Sequence, residues 1–376
     1  MRRIPFLLTM LLLLGFGALL LLFPQESASA ARDGLNICVT LIIPSLFPFF
    51  VLSSLLVSLG FASLLGKCLK GIMWPLFRLN APCATALVLG AIGGYPVGAR
   101  ITAQLYETKQ CSKADALRLS AFCNNCGPAF LFSVAGWGIF SSKAAGFLLL
   151  GTHLLAALLV GLIFRLYPTP AEERSSPLVN IETHHFSSAF PDSVKDSFSS
   201  TLNVCAFVIL FCVILRLGSC SGLLPQVASF LSAFLPSHFT PEVCQSLLAG
   251  IFELSYGVYS ISSFSQSPLA LPLAAFIMGW GGLSVHCQSL PFLKRCTHTL
   301  RPYFTGKLLQ GLLAAGLTAL FTPFILPYTA PAFLPMDSMF FHNVHSSLFY
   351  QEVLALWVLS GVYFLVSSKK CLVKRK

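Results

Sequence analysis

Residues 254–293 read LSYGVYSISSFSQSPLALPLAAFIMGWGGLSVHCQSLPFL, forty consecutive positions without an Asp, Glu, Lys or Arg. A helix needs about 20 predominantly apolar residues to cross a bilayer, so this run exceeds a single span. The glycines and prolines inside it imply that the span is interrupted. Working outward, Ile4–Phe23 (20 residues), Gly34–Gly66 (33) and Leu308–Met336 (29) are also free of charge. Of all 376 residues, 56% are apolar and only 10% charged, against about a quarter charged in soluble domains. The mean hydropathy is +0.79. Backbone groups in lipid must be satisfied internally, and no alternating ten-residue strand pattern is present, so the spans are expected to be helices. The fold class is therefore all-α, a polytopic integral membrane protein with eight to ten apolar helical segments, some of them discontinuous or re-entrant. Further segments are expected at 83–99, 119–140, 144–165, 197–217, 222–236, 243–262 and 346–368.

The formal charge of +11 comes from 24 Lys and Arg against 13 Asp and Glu. These cations lie between apolar blocks and at the ends, the distribution of cytoplasmic membrane loops rather than of a nucleic-acid partner. Arg2 and Arg3, then Lys294, Arg295, Arg301 and Lys307, then Lys369, Lys370, Lys374, Arg375 and Lys376 form three basic clusters. All three are placed in the cytoplasm, with Thr329–His345 on the opposite side and both termini inside. The first segment has a signal-sequence look, with a basic start and a small-x-small site at Ala28-Ser29-Ala30, but its long apolar stretch reads as an uncleaved helix.

The expected organisation is an N-terminal transmembrane helix over 1–30, a first transmembrane half over 31–166, a hydrophilic linker over 167–196, a second half over 197–328, and a final loop, helix and basic cytoplasmic tail over 329–376. The linker mixes acids, bases and His184-His185 without an apolar face. Those histidines have no third ligand at metal-site spacing and read as exposed loop residues. Weak internal similarity supports two halves. Leu35-Asn36-Ile37-Cys38 is echoed by Leu202-Asn203-Val204-Cys205, and Ser120-Ala121-Phe122 by Ala274-Ala275-Phe276. Repeated halves with broken helices are a common construction of secondary transporters.

The breaks carry the candidate site. Pro44 and Pro48 each remove a backbone donor inside one apolar segment. Gly93, Gly94, Pro96 and Arg100 belong to a Gly-rich turn that can present free amides and a cation to an anion; snorkelling of Arg100 to the lipid surface is the alternative. Cys123-Asn124-Asn125-Cys126-Gly127-Pro128 places two amides at another break; its lone CxxC lacks the second pair expected of a metal or redox site. A matching break holds Gly279, Gly281 and Gly282, followed by Ser284, His286, Gln288 and Ser289. Glu253 is an ionisable residue within an apolar stretch, hence a site candidate or a partner for nearby backbone. Arg216 is either a partner for an anionic substrate or an interface residue. No nucleophile with its base is seen, so no enzyme is expected. No cofactor or metal is expected, and the 13 cysteines read as small packing residues.

Gly94-Tyr95-Pro96-x-Gly98-Ala99 together with Gly279-x-Gly281-Gly282 and Gln288 resembles the YlbJ-type sporulation integral membrane proteins of endospore-forming bacteria. The similarity extends over residues 30–325 and includes Leu41–Leu56, Asn124–Pro128 and Gly250–Gly257. That family carries nucleoside-recognition, or Gate, regions and resembles the cores of concentrative nucleoside transporters. Its usual Asn-Thr-Ser-Gly-Pro is Asn124-Asn125-Cys126-Gly127-Pro128 here, which keeps the first amide and the Gly-Pro break but loses the hydroxyls. The resemblance implies sporulation-linked transport of the small organic anion dipicolinate across the outer forespore membrane; the mechanism expected is alternating access across two half-repeats, with Asn124, Glu253 and Gln288 around the central site. The residues themselves leave open a nucleoside or other organic-anion carrier, a non-transporting scaffold, a coupling ion of H+ or Na+, and assembly as a homo-oligomer or with other sporulation membrane proteins in the cell membrane.

Overall fold

The computed structural model describes residues 3–128, 130–168 and 185–325. The expected final span at 346–368, the loop before it, the basic tail and His184 lie outside the described residues. The described chain is helical: α1 (Arg3–Leu22), α2 (Pro24–Ile37), α3 (Ile43–Ser58), α4 (Phe61–Ile72), α5 (Ala84–Gly93), α6 (Val97–Glu107), α7 (Lys113–Ser120), α8 (Lys143–Phe164), α9 (Phe186–Cys220), α10 (Leu223–Ser232), α11 (Pro241–Phe252), α12 (Leu254–Ser260), α13 (Ala270–Trp280), α14 (Gly282–Cys296) and α15 (Arg301–Ile325). Among the described residues, four helical stretches are long and apolar enough to cross a membrane, and up to six if each of two bent pairs counts as one span. The bent pairs turn by 99° at Phe23 and by 95° between residues 77 and 81. Leucines of α1, Phe230 of α10 and Phe234 just past it stay exposed, as expected where lipid is the solvent.

Several boundaries differ from the sequence expectation. The apolar segment 119–140 is not one helix: α7 ends at Ser120, the chain runs through a non-helical stretch, and a π-helical segment takes up Phe130–Ile139. The segment 243–262 is divided at Glu253, whose extended backbone (φ −141°, ψ 125°) separates α11 from α12. By contrast, Pro44 and Pro48 do not interrupt the chain. A π-helical turn over Cys38–Ile42 joins α2 to α3, Pro44 occupies the first turn of α3 and Pro48 lies within it. Pro44 follows closely on the π-helical turn, where a change of hydrogen-bond register accommodates a missing backbone donor, and both prolines present exposed faces. The presumed cleavage-like site lies inside α2, where Ala30 is buried.

The hydrophilic stretch is not a linker as far as residue 196, because α9 begins at Phe186. At 1.5 Å per residue its 35 residues extend about 52 Å, well beyond a hydrocarbon core of about 30 Å. The reason it escapes detection is the nature of its buried face. Ala189, Ser193, Ser197 and Thr201 are buried at a spacing of four, so the inward stripe consists of small residues. Small residues let helices approach closely. Helices α2 and α3 pack along α9, and a Cβ on Gly34 would fall 2.9 Å from the Ile209 backbone.

Helices from the two sides of residues 169–184 interleave. Helix α15 packs along both α8 and α13, and α6 along α14. The result is one contact unit containing all the described residues.

Candidate functional site

The interruptions meet in pairs. Gly94, with φ +77°, turns the chain between α5 and α6, and a Cβ there would fall 3.1 Å from the Gly127 Cα. Gly93 closes α5 and Pro96 precedes α6; Pro128 follows Gly127 at the start of the second break's helical turn. In the later part of the chain, Gly281 and Gly282 have φ of +90° and +80°, a region L side chains rarely occupy. A Cβ on Gly282 would lie 3.0 Å from the Leu254 nitrogen, so this break rests against the one at Glu253. Tyr95 joins the two pairs: its hydroxyl donates to the Met278 carbonyl at 2.8 Å, and its ring lies against Gly281.

At this junction lies a cation that the charge pattern assigned to a cytoplasmic loop. Lys307 is 0% exposed, in the second turn of α15, and its ammonium donates to Tyr95 Oη (2.7 Å), the Asn124 carbonyl (2.8 Å) and Gln310 Oε1 (2.7 Å). It also stands over the Tyr95 ring at 4.8 Å. Positive-inside counting missed it because a lysine at a helix start looks the same whether it snorkels or points inward. The local signal was Gly306-Lys307-Leu308-Leu309-Gln310-Gly311. A Cβ on Gly306 would fall 2.4 Å from the Ala121 carbonyl and one on Gly279 2.6 Å from the Gly311 Cα. The glycines thus bring α15 onto both breaks and aim the Lys and Gln between them.

Gln310 extends the network, donating from Nε2 to Asn125 Oδ1 at 2.8 Å and approaching His153 Nε2 at 3.3 Å. The Cys126 amide donates to the same His153 nitrogen at 3.1 Å, which makes Nε2 the unprotonated atom of the ring. Asn124 receives the Ala99 amide at 3.4 Å and donates to Ser289 Oγ at 2.9 Å. Sequence reasoning singled out Asn124 and Asn125 but not Tyr95, His153 or Gln310, and it read Lys307 as part of a basic loop cluster.

The remaining expected residues are distributed differently. Gln288 is buried on α14, but Ser289 is the residue that bonds Asn124. His286 is buried with Nδ1 2.9 Å from Tyr303 Oη, and its ring meets Trp280 edge-on at 4.2 Å. Ser284 Oγ, His286 Nε2 and His153 Nδ1 are buried without a hydrogen-bond partner, a state that costs free energy until a partner is supplied. Glu253 is buried and caps α12, accepting the Tyr256 amide at 2.6 Å. Arg100 neither snorkels nor joins the Lys307 network. It is 8% exposed, donates to the Phe50 carbonyl (3.2 Å) and Ser197 Oγ (3.3 Å), and lines a polar cleft of about 730 Å³ with Gln104, Asn203 and Arg295. Arg216 pairs with Asp33 at 3.4 Å on an exposed surface, an interface role and not a core one. Cys123 and Cys126 are both buried, Cys123 Sγ lying 3.3 Å from Thr102 Oγ1.

Interrupted apolar helices gathered around buried polar groups define an all-α integral membrane protein of transporter-like build. Residues 39–164 match the family model described as Gate: Nucleoside recognition. The chain is 33% identical over 312 residues, 78% of its own length and 76% of the relative's, to the sporulation integral membrane protein YlbJ of Bacillus subtilis (strain 168). It belongs to the YlbJ family of sporulation integral membrane proteins. No solved structure matches it.

Proposed function

We propose that the chain is a carrier that moves a small polar organic solute across the membrane, with the Lys307 network as its solute-binding centre. The single observation that carries this reading is the fully buried lysine at the meeting of the broken helices, held only by neutral acceptors. Among the described residues no carboxylate is paired with it. Burying a cation is costly, and an anion beside it offsets that cost. The Tyr95 hydroxyl, the Asn124 main-chain carbonyl and the Gln310 amide converge on the ammonium, Asn125 holds Gln310 in turn, and together they give orientation. On this reading the cycle is one of alternating access, with the enclosed arrangement as its occluded state and the two pairs of breaks moving against each other as halves of a concentrative-transporter-like core.

The family description, nucleoside recognition, supports a solute of nucleoside size. The buried cation supports an organic anion, and dipicolinate is the particular anion to test. The relative's name supports a place in sporulation, and the outer forespore membrane is the location this reading gives. Glu253, ionisable and buried beside the second break, is the residue assigned to coupling with H+ or Na+.

The test is uptake of labelled dipicolinate and labelled uridine, each with the other as competitor, into proteoliposomes containing the purified chain. Saturable dipicolinate uptake that uridine leaves unchanged supports the anion carrier. Saturable uridine uptake without dipicolinate flux assigns a nucleoside. Flux of neither, from correctly inserted protein, rejects the carrier and leaves a scaffold.

A further inference from the structure

A second cluster of titratable side chains, sharing no residue with the Lys307 network, is buried where the 95° bend meets α7. Cys83 ends the 3-10 turn Ala81–Cys83 ahead of α5, Cys111 immediately precedes the Ser112 cap of α7, and Asp115 stands in that helix's first turn. Their exposures are 0%, 2% and 3%. One atom from each, two thiol sulfurs and a carboxylate oxygen, lies within 4.8 Å of the others.

The carboxylate is held in place by its neighbours. Asp115 Oδ2 accepts from Asn80 Nδ2 (2.6 Å), Ser112 Oγ (2.8 Å) and the Ser112 amide (3.2 Å), whereas Oδ1 receives only the Asn80 amide at 3.4 Å. Oδ1 therefore keeps lone pairs for another partner, in the way that outer hydrogen bonds orient metal-binding carboxylates. Arg118, one turn further along α7, is fixed by the Arg78 and Tyr167 carbonyls. Its charge offsets part of the negative charge that two thiolates and a carboxylate would carry.

We propose that Cys83, Cys111 and Asp115 bind a zinc ion. Thiolate ligands exclude the oxygen-seeking Mg²⁺ and Ca²⁺. In a tetrahedral zinc site with bonds of about 2.3 Å to sulfur, neighbouring ligand atoms stand about 3.8 Å apart, so the observed cluster closes around the ion by small side-chain movements. The thiol protons leave to solvent as the metal binds. The ion would clamp the turn after the 95° bend to the start of α7, a structural role independent of what the protein carries.

The test is the metal content of the full chain purified in detergent without chelator, with cobalt(II) reconstitution as the second measurement. The expected result is about one zinc per chain, falling to background in Cys83→Ser and Cys111→Ser and unchanged in Cys220→Ser, whose thiol is exposed. The cobalt-loaded wild type should show a thiolate-to-metal charge-transfer band, so the proposal stands or falls on the wild type even where a variant fails to fold. Zinc-free wild-type protein that also gives no such band, or a Cys83–Cys111 disulfide in its intact mass, would overturn it.

Discussion

Replacing Lys307 by Met separates a binding role from a bracing role. Methionine has nearly the same length and no branch, so it fills the lysine's space with little strain. The substitution leaves the Asn124 carbonyl and Gln310 Oε1 without their present donor, at about 1–3 kcal/mol each. Tyr95 is less affected, since its hydroxyl still donates to Met278. Against these losses, the desolvation cost of a buried charge, of the order of several kcal/mol, disappears. The two effects nearly offset, and the thermal midpoint in detergent should move by a few degrees at most. Binding of an anion is not compensated in this way. Losing one charge-assisted hydrogen bond of about 1.5–3 kcal/mol weakens it about 10- to 150-fold. The assay is dipicolinate uptake into proteoliposomes across a concentration series, with insertion and orientation checked by protease protection. Uptake by Lys307→Met with the wild-type half-saturation and maximal rate would refute the reasoning, because the cation would then be only a brace.

Asn124→Ala removes both the acceptor for the Ala99 amide and the bond to Ser289, and is expected to lower uptake of either solute at least 10-fold with the protein still inserted, read by the same flux assay. Gly98→Ala would place a Cβ 2.1 Å from the Cys123 carbonyl; a displacement of that loop costs about 3 kcal/mol, visible as a lowered thermal midpoint, and an unchanged midpoint would contradict the packing described. Glu253→Gln keeps an oxygen to cap α12, so it should fold normally yet lose uptake driven by an ion gradient while retaining solute exchange; gradient-driven uptake at the wild-type rate would remove Glu253 from coupling. Arg216→Ala breaks an exposed pair worth about 1 kcal/mol or less, and both flux and stability should remain within error of wild type.

The membrane-embedded helical character was legible from charge-free runs alone, because desolvation makes charge in lipid expensive wherever the chain goes. The breaks at Gly94, Gly127 and Gly281 were legible too, since glycine and proline act locally on the backbone. What could not be read was anything settled by contact between distant segments. Lys307 looked like a loop cation because its inward direction depends on the glycines at 306 and 311 meeting residues far away in the chain. The first turns of α9 looked like a linker because Asp192, Lys195 and Asp196 dominate their composition, while the buried face of those turns is only Ala189 and Ser193. Glu253 was visible as an unusual residue, but that it ends one helix and starts the next depends on its own side chain serving as the cap.

Helix α15 meets both breaks through glycine, at Gly306 against Ala121 and at Gly311 against Gly279. In the proposed carrier, contacts made through glycine would leave fewer interlocking side chains to separate when α15 shifts against the breaks. The hydrogen bonds from the Lys307 ammonium would be among those that resist such a shift. A solute that exchanges those bonds for its own would act as the key to the movement, which ties the speed of the cycle to the chemistry of the cargo.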